Sequence, residues 1–220
     1  MEKRYTYLVA GLPELFLSFE PTEQSTGLKN FDYEKILSDI YVCIDKEDTK
    51  HLRFFLLGLE NPTSFFYHRA AKSKNRFTRE YFSLDATLRN IQAGVVARQS
   101  GEAPDPFLVG DNMVTEAIKT NSAEHDFGLS PEGEDMERII AILETPGILE
   151  REQKIDLFRW EKVNDMTLFH YFDTDAVLAF VVKAFLVDRW IALDRERGAA
   201  MFAQLLKECR GVSELIKMPE

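Results

Sequence analysis

Apolar residues recur along almost the whole chain at intervals of three and four, and period-two alternation is scarce. That spacing lines one side of an α-helix with apolar groups and offers little half-buried sheet to pair. The pattern therefore predicts an all-α fold, a helical bundle. With 220 residues, the chain can enclose a core without disulfide or metal staples. Its two cysteines, Cys43 and Cys209, make no disulfide framework. Seventeen Phe, seven Tyr and two Trp point to a core or interface rich in rings.

Helix boundaries can be read from local chemistry. Tyr5 to Ala10 opens as a strand or a helix, and Gly11-Leu12-Pro13 interrupts either; residues 20–30 read as loop. Asp32 and Asp45 are placed to cap two helices, the first burying Ile36, Leu37, Ile40 and Tyr41, the second Leu52, Phe55, Leu56 and Leu59. Pro62 stops the second, because a proline disfavours helix at the residue before it. A long helix is expected over 76–99. Gly101 to Gly110, with Pro104 and Pro106, is the best candidate linker. It divides the chain into closely packed lobes, 1–105 and 106–220, which can also form one continuous domain.

Beyond it, Asp111 or Asn112 starts a helix to about Thr120. Ser130-Pro131-Glu132 reads as a further start, and Thr145-Pro146-Gly147 as the end of that helix. Helices follow over 149–162, over 174–193 behind Asp173, and over 195–209 ahead of Gly211. Leu52-Arg53 and Leu88-Arg89 each stand six residues before a glycine, Gly58 and Gly94. If this short pattern is a repeat, each glycine marks a tight helix crossing.

Net charge is −10, of which residues 111–220 carry −9. A field of that sign opposes a general role on nucleic acid or an anionic membrane. No apolar run reaches the roughly 20 residues of a spanning helix, and the chain reads as cytosolic and soluble. The one dense positive stretch is Arg69, Lys72, Lys74, Arg76 and Arg79. It is either a solvated loop and helix start or a docking site for an acidic partner. The neighbouring rings, Phe65-Phe66-Tyr67, Phe77, Tyr81 and Phe82, read as packing, with any exposed subset an interface anchor.

No phosphate loop, dinucleotide fingerprint, nucleophile elbow or zinc-binding helix motif occurs. His51, His68, His125 and His170 are scattered, so no catalytic residue, cofactor or metal site is expected. Asp126-Phe127-Gly128 resembles the metal-binding triplet of kinases, but without its companions it reads as a turn. Asp156, Arg159 and Trp160 share a helix face, and Asp188-Arg189-Trp190 lies within the most apolar helix. Charges there need partners, so Arg189 is expected to pair with an acid on the 149–162 helix. Arg89, Asn90, Asp126, Asp156, Trp160, Arg189 and Trp190 form the expected structural polar network. The competing reading makes Arg89, Asp126, Asp156 or Arg189 part of a pocket in an enzyme or small-ligand binder of unknown chemistry.

Tyr5-Thr-Tyr-Leu-Val-Ala-Gly-Leu-Pro13, Leu88-Arg-Asn-Ile91, Asp126-Phe-Gly-Leu129, Ile155-Asp156, Arg159-Trp160 and Asp188-Arg-Trp190 with Leu193, Asp194 and Gly198 resemble an uncharacterised bacterial family. Its members are typically encoded among V-type ATPase subunits. Tyr7-Leu8-Val9-Ala10 and Leu88-Arg89-Asn90-Ile91 are also distantly similar to the C-type (or d-type) stalk-cap protein of V/A-type ATPases, the helical cap between central stalk and membrane ring. The Gly11-Leu12-Pro13 break and the shorter chain depart from that cap. The resemblance implies a non-catalytic subunit or adaptor linking stalk to membrane rotor, or a transient assembly factor. Its partners would be stalk and rotor subunits, and it would sit peripheral to the inner membrane through protein contacts alone.

Overall fold

The computed structural model describes residues 5–19 and 31–193. The expected loop over 20–30, the helix over 195–209, Gly211 and Cys209 lie outside the described residues, as do Asp194 and Gly198. Among the described residues the structure is all-α, with no strand. The helices are α1 (Thr6–Gly11), α2 (Tyr33–Cys43), α3 (Lys46–Glu60), α4 (Ser64–Ala70), α5 (Arg76–Ser100), α6 (Met113–Thr120), α7 (Glu134–Leu143), α8 (Ile148–Met166) and α9 (Thr174–Ala192).

Short polar side chains set most helix starts, by accepting from backbone N–H groups that have no partner inside the helix. Asp32 accepts from the Lys35 amide, and Asp45 from the Glu47 and Asp48 amides, each at 2.9 Å. Asn75 caps α5 through the Thr78 amide at 2.7 Å, and Asp173 caps α9 through the Ala176 amide at 3.0 Å. Asn112 and Thr115 satisfy each other's backbone at the start of α6.

Three expectations need correction or completion. Tyr5 to Ala10 resolves as the short helix α1, whose Tyr5 amide donates to the Phe172 carbonyl. After the stop at Pro62 comes α4, a short helix with no start expected from the sequence; Thr63 caps it. Ser130-Pro131-Glu132 forms a 3-10 turn rather than opening α7. Gly133, at φ +133°, bends the chain there, and α7 begins after it. Glu134, Asp135 and Glu137 place negative charge on the positive end of its dipole instead of a capping side chain.

Two sets of buried apolar side chains hold these helices. The first gathers Leu37, Ile40, Leu52, Phe55 and Phe82 with Val163, Leu178 and Val182. The second gathers Leu88, Ile91, Val95, Ile118, Phe127 and Phe158. Each set joins residues from before and after residue 105, and α5 serves both. The 101–110 stretch is itself pinned to α5. The fully buried Asn90 amide donates to the Val109 carbonyl at 2.9 Å and accepts from the Val109 amide at 2.7 Å. Both hydrogen-bonding sides of that side chain are satisfied by one residue's backbone.

Phe55, Phe66, Tyr67, Phe77, Tyr81 and Phe82 are buried against one another, with Phe55–Phe82 and Phe66–Phe82 ring centres 5.0 and 4.6 Å apart. Phe65 alone of the expected ring set is strongly exposed. The Phe66 and Phe82 rings explain Gly58. A Cβ there would lie 2.1 Å from Phe66 Cζ and 2.5 Å from Phe82 Cζ. At Gly94 it would meet Ile118 at 2.9 Å and Phe127 at 3.0 Å. Both glycines admit side chains, mainly rings, rather than the neighbouring backbone that a helix crossing implies. No described helix is long and apolar enough to cross a membrane.

Gly58→Ala should therefore destabilise the protein by about 1–3 kcal/mol through overpacking. Gly147→Ala, where the nearest atom stands at an ordinary 3.6 Å, should change stability little. Urea unfolding of both variants checks this, and wild-type stability for Gly58→Ala would contradict the packing.

Candidate functional site: a charged cleft between α5, α8 and α9

The middle of α5 follows Tyr81 and Phe82 with Asp85, on a face otherwise packed into the core. A carboxylate so placed loses its water and needs cations. It finds two. Arg159 on α8 donates to one oxygen of Asp85 at 2.9 Å, and Arg89, one turn along α5, donates through Nε to the other at 2.8 Å. The Tyr67 hydroxyl of α4 donates to that second oxygen at 2.5 Å.

Arg159 continues the chain of charges. Its other terminal nitrogen donates to Asp156 at 3.0 Å, and Asp156 is completely buried. Asp156 also receives Arg189 at 3.1 Å and the Trp190 indole N–H at 2.8 Å, both from α9. Arg189 then reaches Glu152 on α8 at 2.6 Å. Three carboxylates and three guanidiniums thus alternate across α5, α8 and α9, and α4 joins through Tyr67.

Burial acts against both charges at the centre, but their partners win. Desolvation pushes the Asp85 carboxyl up, and the Arg159 and Arg89 guanidiniums outweigh it and hold the carboxyl below its ordinary value. Desolvation likewise disfavours the Arg159 cation, and Asp85 and Asp156 more than restore it, so its pKa is raised. Burial, then Asp85, raises the Tyr67 phenol. Each of these shifts moves a group's titration further from neutral pH. They lock protonation states in place, whereas a general acid or base at pH 7 needs a value near 7.

The network floors an open cavity of about 350 Å³, lined by Asp85, Arg89, Gln92, Glu152, Arg159 and Arg189 among others. Arg159 is only 14% exposed, but Arg89 and Arg189 are 45% and 36% exposed at the rim.

The structure thus brings together Arg89, Asp156, Arg189 and Trp190 from the expected network, and Arg189 does pair with acids on α8. The other three stand apart. Asn90 faces the 101–110 stretch. Asp126 closes a turn by accepting from the Gly128 amide at 2.9 Å, and hydrogen bonds from Ser130 and Gly128 lower its pKa. In that turn Phe127, at φ +53°, is held in the left-handed region with its ring buried under Arg98, 4.8 Å from the guanidinium. Trp160 carries Lys183 5.2 Å over its ring.

Asp85, Glu152 and Tyr67 belong to the network but not to the expectation, and Arg159, read only as sharing the Asp156 face, is its centre. The available signal was Asp85 four residues before Arg89, an acid–base pair on a face otherwise made of Tyr81, Phe82 and Ala86.

In the basic stretch, Arg69, Lys72, Lys74 and Arg76 are exposed and Arg79 is half-buried. Arg79 donates to the Ser73 and Lys74 carbonyls at 2.6 and 2.9 Å, and Arg76 to the Met166 carbonyl at 2.7 Å. Arg69 stacks over Phe54 and Phe65, and Lys72 lies 2.9 Å from His68. Among the described residues no group of His, Cys, Asp and Glu is arranged to hold a metal ion.

Two outcomes follow from the network. Arg159→Met removes the one counter-charge that two buried carboxylates share and should cost about 3–5 kcal/mol, more than Arg189→Ala, whose loss leaves Asp156 with Arg159 and Trp190. Equilibrium unfolding ranks them, and wild-type stability for either contradicts the pairing. The second outcome concerns pH. Because the folded-state pKa of Asp85 is depressed, its contribution is present above the ordinary value near 3.8 and is lost as pH falls through the folded value. Wild-type stability should therefore drop in that acid window. Asp85→Asn, less stable at neutral pH, should drop less steeply there, and parallel urea midpoints for the two chains would refute this.

No curated protein and no solved structure matches the chain. Residues 58–211, from the α3 glycine under the aromatic cluster to beyond α9, match one family of proteins of unknown function. That match takes in every residue of the charged cleft, and on it the chain belongs to the DUF2764 family.

Proposed function

We propose that the protein is a non-catalytic helical adaptor of a V/A-type ATPase, coupling central stalk to membrane rotor by protein contacts. The observation that carries this reading is the unbroken alternation of buried charges joining α5, α8 and α9. A part that transmits force needs elements that do not slide, and directional ion pairs with satisfied geometry fix register more sharply than apolar contact alone. Asp85 and Arg159 are held in their charged forms by each other's presence, which suits a strut.

Similarity of Tyr7-Leu8-Val9-Ala10 and Leu88-Arg89-Asn90-Ile91 to the stalk-cap protein supplies the partner. The all-helical architecture is compatible with it. In this reading the helices work as two closely packed lobes with a cap-like role, and the exposed cations Arg69, Lys72 and Lys74 dock an acidic partner surface, with Phe65 as the neighbouring apolar anchor. Arg79 holds the α4–α5 turn that presents them, and Arg76 ties the start of α5 to the end of α8.

Quantitative co-purification from native membranes tests the proposal. The protein should be recovered with stalk or ring subunits in fixed ratio, and a substoichiometric yield confined to assembling complexes would mark an assembly factor instead. Reversing Lys72 and Lys74 to Glu should weaken recovery about tenfold, and raised salt should do the same to the wild type. Repeated absence from intact complex would remove the proposal.

A further inference from the structure

The charged cleft does not end at its arginines. A second cavity of about 310 Å³ adjoins it along α5, lined by Ala93, Val96, Ala97 and Phe107 among others. The two share Arg89 and Gln92 as common wall. One groove therefore runs along α5 with a charged end and an apolar end, and Arg89 stands at the junction. Each part falls within the size of small-ligand sites.

Arg89 has donors to offer there. Only its Nε is engaged, with Asp85, and its two terminal nitrogens make no hydrogen bond among the described residues. Guanidinium nitrogens of this kind match a carboxylate or phosphate edge. The remaining charges set the orientation. Asp85 is already saturated by Arg159, Tyr67 and Arg89, and Glu152 is held by Arg189. Glu102 lies on the apolar cavity, so an anionic head is repelled from that end. Val96 and Phe107 are more than half exposed, leaving apolar surface uncovered in the groove.

We propose that this groove binds a small organic anion, its phosphate or carboxylate head on the Arg89 terminal nitrogens beside Gln92 and its apolar body along Val96 and Phe107. The site is independent of the adaptor reading: it requires no ATPase partner, and its ligand makes no contact with the basic stretch at Arg69–Arg79.

Calorimetric titration of the full chain with hexyl phosphate tests it, using inorganic phosphate as the head alone and hexan-1-ol as the body alone. Hexyl phosphate should bind saturably and at least about tenfold more tightly than either fragment. Arg89→Gln, which leaves Asp85 its Arg159 and Tyr67 partners, should reduce hexyl phosphate to the affinity of the alcohol. Val96→Asp, at an exposed position that the core does not need, should weaken hexyl phosphate about tenfold and leave inorganic phosphate unchanged. Failure of hexyl phosphate to saturate by about 10 mM, or an affinity untouched by both substitutions, overturns the site.

Discussion

A carboxylate at position 85 of an otherwise core-facing helix forces much of what surrounds it. Once Asp85 is buried, Arg159 must meet it, and Arg159 can do so only if α8 lies against α5 at that height. Arg159 in turn fixes Asp156, and Asp156 fixes Arg189 and Trp190 on α9. Apolar contact brings these helices together, since it supplies most of the favourable free energy. It tolerates sliding, however, and an alternating line of charges does not. Removing any one member of its buried centre leaves a neighbour desolvated and short of counter-charge.

The same network makes the cleft polar and keeps Asp85 and Arg159 ionised. Its inner groups are committed to one another, and burial has been overcome by pairing in the direction that keeps them ionised. At the rim, Arg89 retains free donors. The proposed scaffold is therefore compatible with the proposed small-anion groove on one flank: the buried charges would give stiffness, and the exposed edge of one arginine would give recognition. Ligand at that edge would tie α5 further to its surroundings.

Much of the fold was legible in the sequence because helix starts are local events. Asp32, Asp45, Asn112 and Asp173 cap as their side chains dictate, and each decision involves only the next three residues. Ser130 misled because the competing signal, Gly133 in a conformation that side chains resist, lies three residues on and overrides the cap. The candidate site was legible only in part. Arg189 betrays itself as a cation in an apolar helix, whose partner must be an acid on an adjacent helix. Asp85 hides, because Asp85 and Arg89 read as an ordinary helix-face pair until α8 is placed against them. Asn90 and Asp126 are polar residues among apolar ones too, but nearby backbone absorbs them. Sequence shows that such a group needs a partner; the packing decides which one.

The central claim is that one line of buried charges couples α5, α8 and α9 as a unit. Native-state hydrogen exchange on Asp156→Asn tests it most directly, because within the network that side chain bonds to α8 and α9 and reaches α5 only through Arg159. The account predicts that amides of α9 and of α5 around Asp85 lose protection together with those of α8, while α2 keeps its own. Loss confined to α8 would contradict it.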